Sequence, residues 1–445
     1  MYLKKQKEVI TLPMNNTNTI TFKEAGCKDE NASVWLVSLI EFGKKLGLFD
    51  LFEGFKLKMK TVNFTVNQKL MVIIMSIAIG CETTSAINDE LRGEKLALDM
   101  FDMDRCPDQS QINEVLRRFD EGSIKQLEEI HDKLFMENSK TLETEEESVV
   151  DFDQTGLIAN GQSFELAEKG YFSKQDKGKK GYQMLAAYEG GKEIRETVGM
   201  KLDTGNTHCT KHQEELLKAT VKKYEKKIEK GQLTIRTDSG FGTAKIIEMM
   251  EKIKGLKFLT KAYSPIEAGK IGRTIEFEEW TEVGYKAWVY EIEDEGSRLR
   301  HIIVKVLTKK MEYEYAMLIT NIKKGEKSAE ELFHFYNERQ TIEAFFKMAK
   351  NVYHIKNLRT RKFYGIYGFL WIVFITHNII SLFKGTMFAG TELEDAGMKV
   401  FVEKVGKIKG FVERLKESIE VRIPKMTKIS KLLAGILCNR VAIRT

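Results

Sequence analysis

The sequence predicts an α/β protein: a mixed sheet with helices on its faces, a helical region before it, and an all-β insertion ahead of its last helices. Three observations predict this. From about residue 30 to 145, apolar residues recur at helical spacing, as in 34-VWLVSLIEFGKKLGLFDLF-52 and 67-NQKLMVIIMSIAIG-80. From 147 onward, short alternating segments and helical segments follow in the order β-β-β-α-β-α-β, which suits a sheet with helices packed on it. From about 262 to 325, β-branched and aromatic residues replace the helical pattern.

In chain order, residues 1–25 read as a lead-in without defined structure, and 1–145 as a helical N-terminal region. Within it, 107-PDQSQINEVLRRF-119 opens with a helix-start signal, because Gln111 stands three after Asp108 as in a capping box. Its arginines fit a small DNA-reading module; its apolar positions fit a packing helix. Strands follow at 147-ESVVDFD-153, 182-YQMLAAYE-189 and 193-EIRETVGMKL-202, the last two joined through Gly190-Gly191, a hairpin signal. A helix is expected near 210–229, a strand at 233-LTIRTD-238, a helix at 243–253 and a strand at 256-LKFLTK-261. The stretch 262–325 should be an all-β insertion of four to six strands. Helices resume near 328, and 386–445 is expected to be a basic helical C-terminal region.

The bulk numbers narrow the classes of function. The chain has 445 residues, 42% hydrophobic and 31% charged, ordinary for a globular protein of several domains or of one with insertions. Its net charge of +6 is unevenly spread. From Lys399 to Thr445, twelve Lys/Arg face four Asp/Glu, a balance of +8 that leaves −2 for the rest. A basic tail on a near-neutral body fits a polyanionic partner such as nucleic acid, or a solvated helical tail. The five cysteines, Cys27, Cys81, Cys106, Cys209 and Cys438, never form C-x-x-C. That spacing argues against a zinc site or disulfide framework and fits a reducing cytoplasm. The N-terminal residues lack the apolar run of a secretory leader. The uncharged stretch 363-FYGIYGFLWIVFITHNIISLF-383 is long enough to span a membrane, but His377 and Asn378 inside it favour a buried helix.

The chemistry concentrates in 336-YNERQTIEAFFKMAK-350. At roughly 100° per residue, Arg339, Glu343 and Lys350 fall at about 300°, 340° and 320° from Tyr336, so one helix would carry all four on a narrow strip. Phe335, Ile342, Phe345, Phe346 and Ala349 lie on the neighbouring arc and would face a core. Such a strip is either a solvated ion-pair face or part of a site. Two further acids end predicted strands: Asp153 in 149-VVDFDQTGL-157 and Asp238 in 235-IRTDSGFG-242. Asp151 shares a strand face with Asp153 and competes with it as the first acid. Each Asp alone reads as a turn former or helix cap. Together with Glu343, the acids could hold two hard divalent cations, an arrangement suited to in-line displacement at phosphorus. Arg339 and Lys350 could then hold phosphates, and Tyr336 could contact a phosphate, sugar or base.

At this point the sequence resembles the DDE transposases of bacterial insertion sequences, in the branch with the Y-x2-R-x3-E-x6-K signature (the insertion-sequence family 4 and 1380 group). Tyr336, Arg339, Glu343 and Lys350 reproduce that signature at every interval. Asp153-Gln154-Thr155 matches its D-x-T context, and Arg236-Thr237-Asp238-Ser239-Gly240-Phe241 its second-acid context. The 105-residue gap from Asp238 to Glu343 leaves room for its β-rich insertion. The segments 178-GKKGYQML-185 and 205-GNTH-208 are also similar to family sequence.

The resemblance implies an RNase H-like catalytic domain, spanning 146–261 and 326–385 and interrupted by the insertion at 262–325. It implies Asp153, Asp238 and Glu343 as catalytic residues holding two Mg²⁺ ions, with Mn²⁺ as substitute, and Tyr336, Arg339 and Lys350 as DNA contacts. Trp280 or Trp288 would hold a flipped base, and the N-terminal region would bind the element's end. Water would attack the phosphodiester at that end, and the freed 3′-hydroxyl would then attack the opposite strand or target DNA. The implied partners are double-stranded DNA, as terminal inverted repeats and target, and a second copy in a homodimer, in the bacterial cytoplasm and away from membranes. Two rivals share the fold: a DNA-binding protein retired from catalysis, disfavoured by the intact acids, and a metal-dependent nuclease that does not join strands.

Overall fold

The computed structural model describes residues 19–24, 31–60, 63–161, 163–170, 172–190, 195–293, 296–416 and 418–442. Its strands, in chain order, begin with β1 (Thr19–Glu24) and β2 (Asn31–Ser33). Next come β3 (Ser148–Ile158), β4 (Glu168–Lys169), β5 (Lys180–Glu189), β6 (Thr197–Thr204), β7 (Leu233–Thr237) and β8 (Lys257–Lys261). Then follow β9 (Thr281–Gly284), β10 (Ala287–Ile292), β11 (Arg300–Leu307), β12 (Tyr313–Thr320), β13 (Lys409–Arg414) and β14 (Ser418–Ile423). β3 to β12 build one mixed sheet in the order β4-β5-β3-β7-β8-β12-β11-β10-β9, with β6 paired to β5. β7 and β8 run parallel to β3, whereas β5 and β6 form an antiparallel meander on its other side.

Several expectations shift. The β-rich stretch does not stand apart: β12 pairs antiparallel with β8, so β9 to β12 extend the main sheet. That stretch also contains a helix, Pro265–Gly272, started by Ser264, whose side chain accepts the Ile266 N–H, and by Pro265 in the first turn. The C-terminal region, expected to be helical, contains β13 and β14 before the helix Lys428–Ala442. These strands join β1 and β2 in a second sheet, ordered β1-β14-β13-β2, so part of the supposed lead-in is also ordered. Of the Gly190-Gly191 hairpin signal, Gly191 lies outside the described residues.

The helix Gln109–Arg118 has the expected capping box, the Gln111 side chain accepting the Asp108 N–H at 3.0 Å. It is a packing helix. Ile112, Val115 and Leu116 are buried, and Gly365 of the long apolar helix Phe363–Met387 comes so close that an added Cβ would lie 2.2 Å from the Leu116 carbonyl oxygen. The long helix is the one helix, among the described residues, with the length and composition to cross a membrane, and its apolar window is fully buried inside the protein. His377 and Asn378 tie it to β6 and the segment just before it. Asn378 accepts the N–H and hydroxyl of Thr197 at 2.8 Å each and donates to the Thr197 carbonyl at 2.9 Å. Burial pushes the His377 imidazole down to about 3, so the ring is neutral. Its Nε2 then donates to the Arg195 carbonyl and its Nδ1 accepts the Tyr353 hydroxyl, each at 3.1 Å.

Beneath the edge where β3 and β7 end lies a buried ion pair. Asp151 and Arg236 are register partners on β3 and β7, and both are almost fully buried. Arg236 Nε donates to Asp151 Oδ1 at 2.7 Å and Nη2 to Oδ2 at 2.9 Å. The Thr341 hydroxyl adds a third bond to Asp151 Oδ2 at 2.7 Å, and Arg236 Nη1 donates to the Phe335 carbonyl. Asp151 is therefore held in a structural ion pair, with its carboxylate oxygens taken up by Arg236 and Thr341. Gly190, at the end of β5, is required here: an added Cβ would stand 2.6 Å from the Thr341 hydroxyl and 2.9 Å from Asp151 Oδ2.

Two stability predictions follow from these buried groups. Asp151→Asn should cost about 3–5 kcal/mol, because it strands a buried guanidinium. Asp151→Leu combined with Arg236→Met should lose clearly less; urea unfolding of both variants checks this. Burial also pushes the Glu189 carboxyl up to about 8, although it accepts the Val149 N–H and the Tyr224 hydroxyl. The folded protein then keeps a proton that the unfolded chain releases, so this group's contribution to stability falls as pH rises from the ordinary carboxylate range toward 8. Thermal melts from pH 5 to 8 should show Glu189→Gln gaining on the wild type as pH rises.

Candidate active site

The site forms where the sheet parts. β3 and β7 pair through Phe152 and Thr237, after which β7 ends and β3 continues beside β5. Asp153 and Asp238 are the next residue on each strand, so the two carboxylates flank the crevice at the carboxyl edge of the parallel strands. The Asp238 side chain accepts the Gly240 N–H at 3.0 Å, and its carbonyl accepts the Phe241 N–H at 3.1 Å, which turns the chain sharply away. Asp153 Oδ1 accepts the Gln154 N–H at 2.8 Å. Burial, and then the charge of Asp153, push the Asp238 carboxyl up; Arg339 pulls it back.

The signature segment is not one helix. It breaks at Glu338–Arg339, between the helices Ala329–Asn337 and Gln340–Asn351. Tyr336 thus lies on the first helix, and Glu343 and Lys350 on the second. The expected core arc holds for Ile342, Phe345, Phe346 and Ala349, all buried, with Phe345 stacked on Tyr188 of β5 at 4.4 Å between ring centroids. Phe335 is half-buried, its ring 4.7 Å from the Arg236 guanidinium. Tyr336 packs against Arg339, and burial pushes its phenol up to about 12.

Both cations point inward. Arg339, 12% exposed, brings Nη1 to 3.0 Å from Asp153 Oδ2 and Nη2 to 3.2 Å from Glu343 Oε1. Lys350 Nζ donates to the Thr155 hydroxyl at 2.7 Å, two residues along β3 from Asp153, and burial pushes its pKa down. Glu343 stays 58% exposed. Among the described residues, no three His, Cys, Asp or Glu side chains converge closely enough to hold a metal ion. The structure therefore brings Asp153 and Asp238 together and leaves Glu343 on the far side of the Arg339 guanidinium. The donor chemistry suits a hard divalent cation: the acids offer only oxygen, and a positive group already stands between two of them.

A cleft of about 450 Å³ opens over this edge, lined by Asp153, Thr155, Asp238 and Lys350 together with Gln183 and His208. The last two were not chosen as site residues, although both lie in the quoted stretches 178–185 and 205–208. Those stretches meet because β5 pairs with β6 and Gln183 donates to the Gly205 carbonyl, and Gln154 of β3 ties the second stretch to the edge through the Thr207 carbonyl, each bond at 3.3 Å. Neither Trp280 nor Trp288 lines the cleft. Both face Lys305 of β11, whose Nζ lies 4.9 Å from the Trp280 ring and 5.8 Å from the Trp288 ring; Trp280 is buried and Trp288 half-buried.

No curated protein matches the chain closely enough to count as a relative. The family described as Transposase DDE domain group 1, however, matches residues 35–441, from the first long helix to the last. That span takes in the acid-bearing edge, the broken signature helix and the strands between them, and the chain therefore belongs to this family of DDE transposase domains.

Proposed function

We propose that the chain is an active cut-and-paste transposase of an insertion sequence of the family 4 and 1380 group, hydrolysing phosphodiesters at the terminal inverted repeats and joining the freed ends to target DNA. The observation that carries this reading is the placement of Asp153 and Asp238 on one cleft, each just past the last β3–β7 pair, beside a helix that presents Glu343 and is anchored through Thr341 to the ion pair beneath. The strand order β6-β5-β3-β7-β8, an antiparallel meander followed by two strands parallel to the first, supports an RNase H-like core.

In this reading Asp153, Asp238 and Glu343 hold two Mg²⁺ ions, which when bound would activate the attacking oxygen and stabilise the leaving one. The chain's own groups do the rest. The crevice walls of β3 and β7 hold the carboxylates in place against the target phosphodiester. Lys350, braced on Thr155, sets a positive charge on the wall of the cleft for a backbone phosphate. Tyr336, partly enclosed beside Arg339, is a packing and DNA-contact residue; attack by water and then by the 3′-hydroxyl requires no protein nucleophile. Bringing two element ends together calls for a second copy.

The test is strand cleavage of a duplex carrying the element's own terminal repeat, with Mg²⁺ or Mn²⁺. Cutting at the repeat boundary should disappear in Asp153→Asn, Asp238→Asn and Glu343→Gln while end binding persists; a variant that still cuts removes its residue from the set. Binding without cutting by the wild type would favour the retired DNA-binding reading. Lys350→Ala should weaken binding and reduce the slope of log K against log salt by about 1.

A further inference from the structure

We propose that Arg339 is a resident counter-cation that keeps Asp153 and Glu343 from sharing a divalent metal until a DNA phosphate draws its guanidinium away. The inference rests on the metal-dependent reading above. It makes metal loading conditional on DNA, with Arg339 as the residue that links the two.

Three observations carry it. The guanidinium spans the two acids, one amino group at 3.0 Å from Asp153 and the other at 3.2 Å from Glu343. A cation there meets the like-charge problem of clustered carboxylates as a metal would, so the two compete for the same oxygens. Second, the grip is incomplete. Among the described residues, Nε and Nη1 of Arg339 are buried without a hydrogen-bond partner, so the contact with Asp153 is a meeting of charges lacking hydrogen-bond geometry. A phosphate offers a guanidinium the two-pronged acceptor that Asp153 does not provide here. Third, Arg339 sits at the break between Ala329–Asn337 and Gln340–Asn351, where its N–H and carbonyl bond three residues away, to Tyr336 and Ile342, in place of the four-residue bonds of a continuous helix. Asp151, by contrast, holds Arg236 with two good hydrogen bonds in full burial. The aspartates of the two pairs stand two residues apart on β3, and only one pair is built to let go.

Mn²⁺ binding to the full chain, read from the loss of the free-ion EPR signal, tests this without any turnover. In the absence of DNA, Arg339→Gln should bind Mn²⁺ about tenfold or more tightly than the wild type, the effect of removing one unit charge from beside the carboxylates. Arg339→Lys, which keeps the charge but cannot reach both acids, should fall between and serves as a second readout if the Gln variant folds poorly. Adding a duplex with the element's terminal repeat should tighten Mn²⁺ binding by the wild type and leave Arg339→Gln unchanged. Equal or weaker binding by both Arg339 variants, with binding still lost in Asp153→Asn, would overturn the counter-cation role and spare the metal site. No Mn²⁺ bound by any variant, with or without duplex, would overturn both.

Discussion

The buried pair of Asp151 and Arg236 is the constraint on which the site depends. Two charges taken out of water cost several kcal/mol each unless every polar atom is met, and here the partners come from four directions. β3 supplies the carboxylate, β7 the guanidinium, the first turn of the helix Gln340–Asn351 the Thr341 hydroxyl, and the preceding helix the Phe335 carbonyl. None of these elements can slide by a residue without stranding a charge. The pair lies two residues below Asp153 and two below Asp238, so the same register that satisfies it sets the two acids side by side. Gly190 completes the arrangement by leaving room where a methyl group would collide with the pair.

This logic explains why the sequence left Asp151 as an alternative to Asp153. Two residues apart on a strand, Asp151 and Asp153 share a face, and periodicity alone cannot say which one lies under the approaching helix. The deciding signal was Arg236, read as part of the second-acid context but not as a buried partner. The intervals among Tyr336, Arg339, Glu343 and Lys350 were legible, as was the apolar arc behind them. The break at Glu338–Arg339 was not, because a two-residue turn between helices barely disturbs a helical spacing pattern. Gln183 and His208 were hidden for another reason: Gln183 reaches the cleft only because β5 pairs with β3 and β6, and His208 only because the segment after β6 folds back toward β3.

Elsewhere the errors share a cause. Strand pairing is non-local, so composition marked the stretch from about 262 to 325 as β but could not show β12 joining β8. The second sheet pairs residues near 20 with residues near 420, a separation no local pattern reports, and charge made its C-terminal strands look like a solvated helix. The long apolar helix was read correctly because His377 and Asn378 needed partners that only a protein interior could supply.

The way β12 meets β8 has one more consequence. Only Leu318–Thr320 pair with β8; the earlier residues of β12 run on past the end of that strand, on the side where Asp153 and Asp238 sit. At roughly 3.3 Å per residue, the five residues from Tyr313 to Met317 climb about 17 Å above that edge, taking the hairpins of β9 to β12 with them. The acids therefore lie at the foot of a parapet, with their approach screened on that flank. A polymer laid across this edge would have to pass that parapet on one side, so the sheet itself restricts the directions in which it could lie.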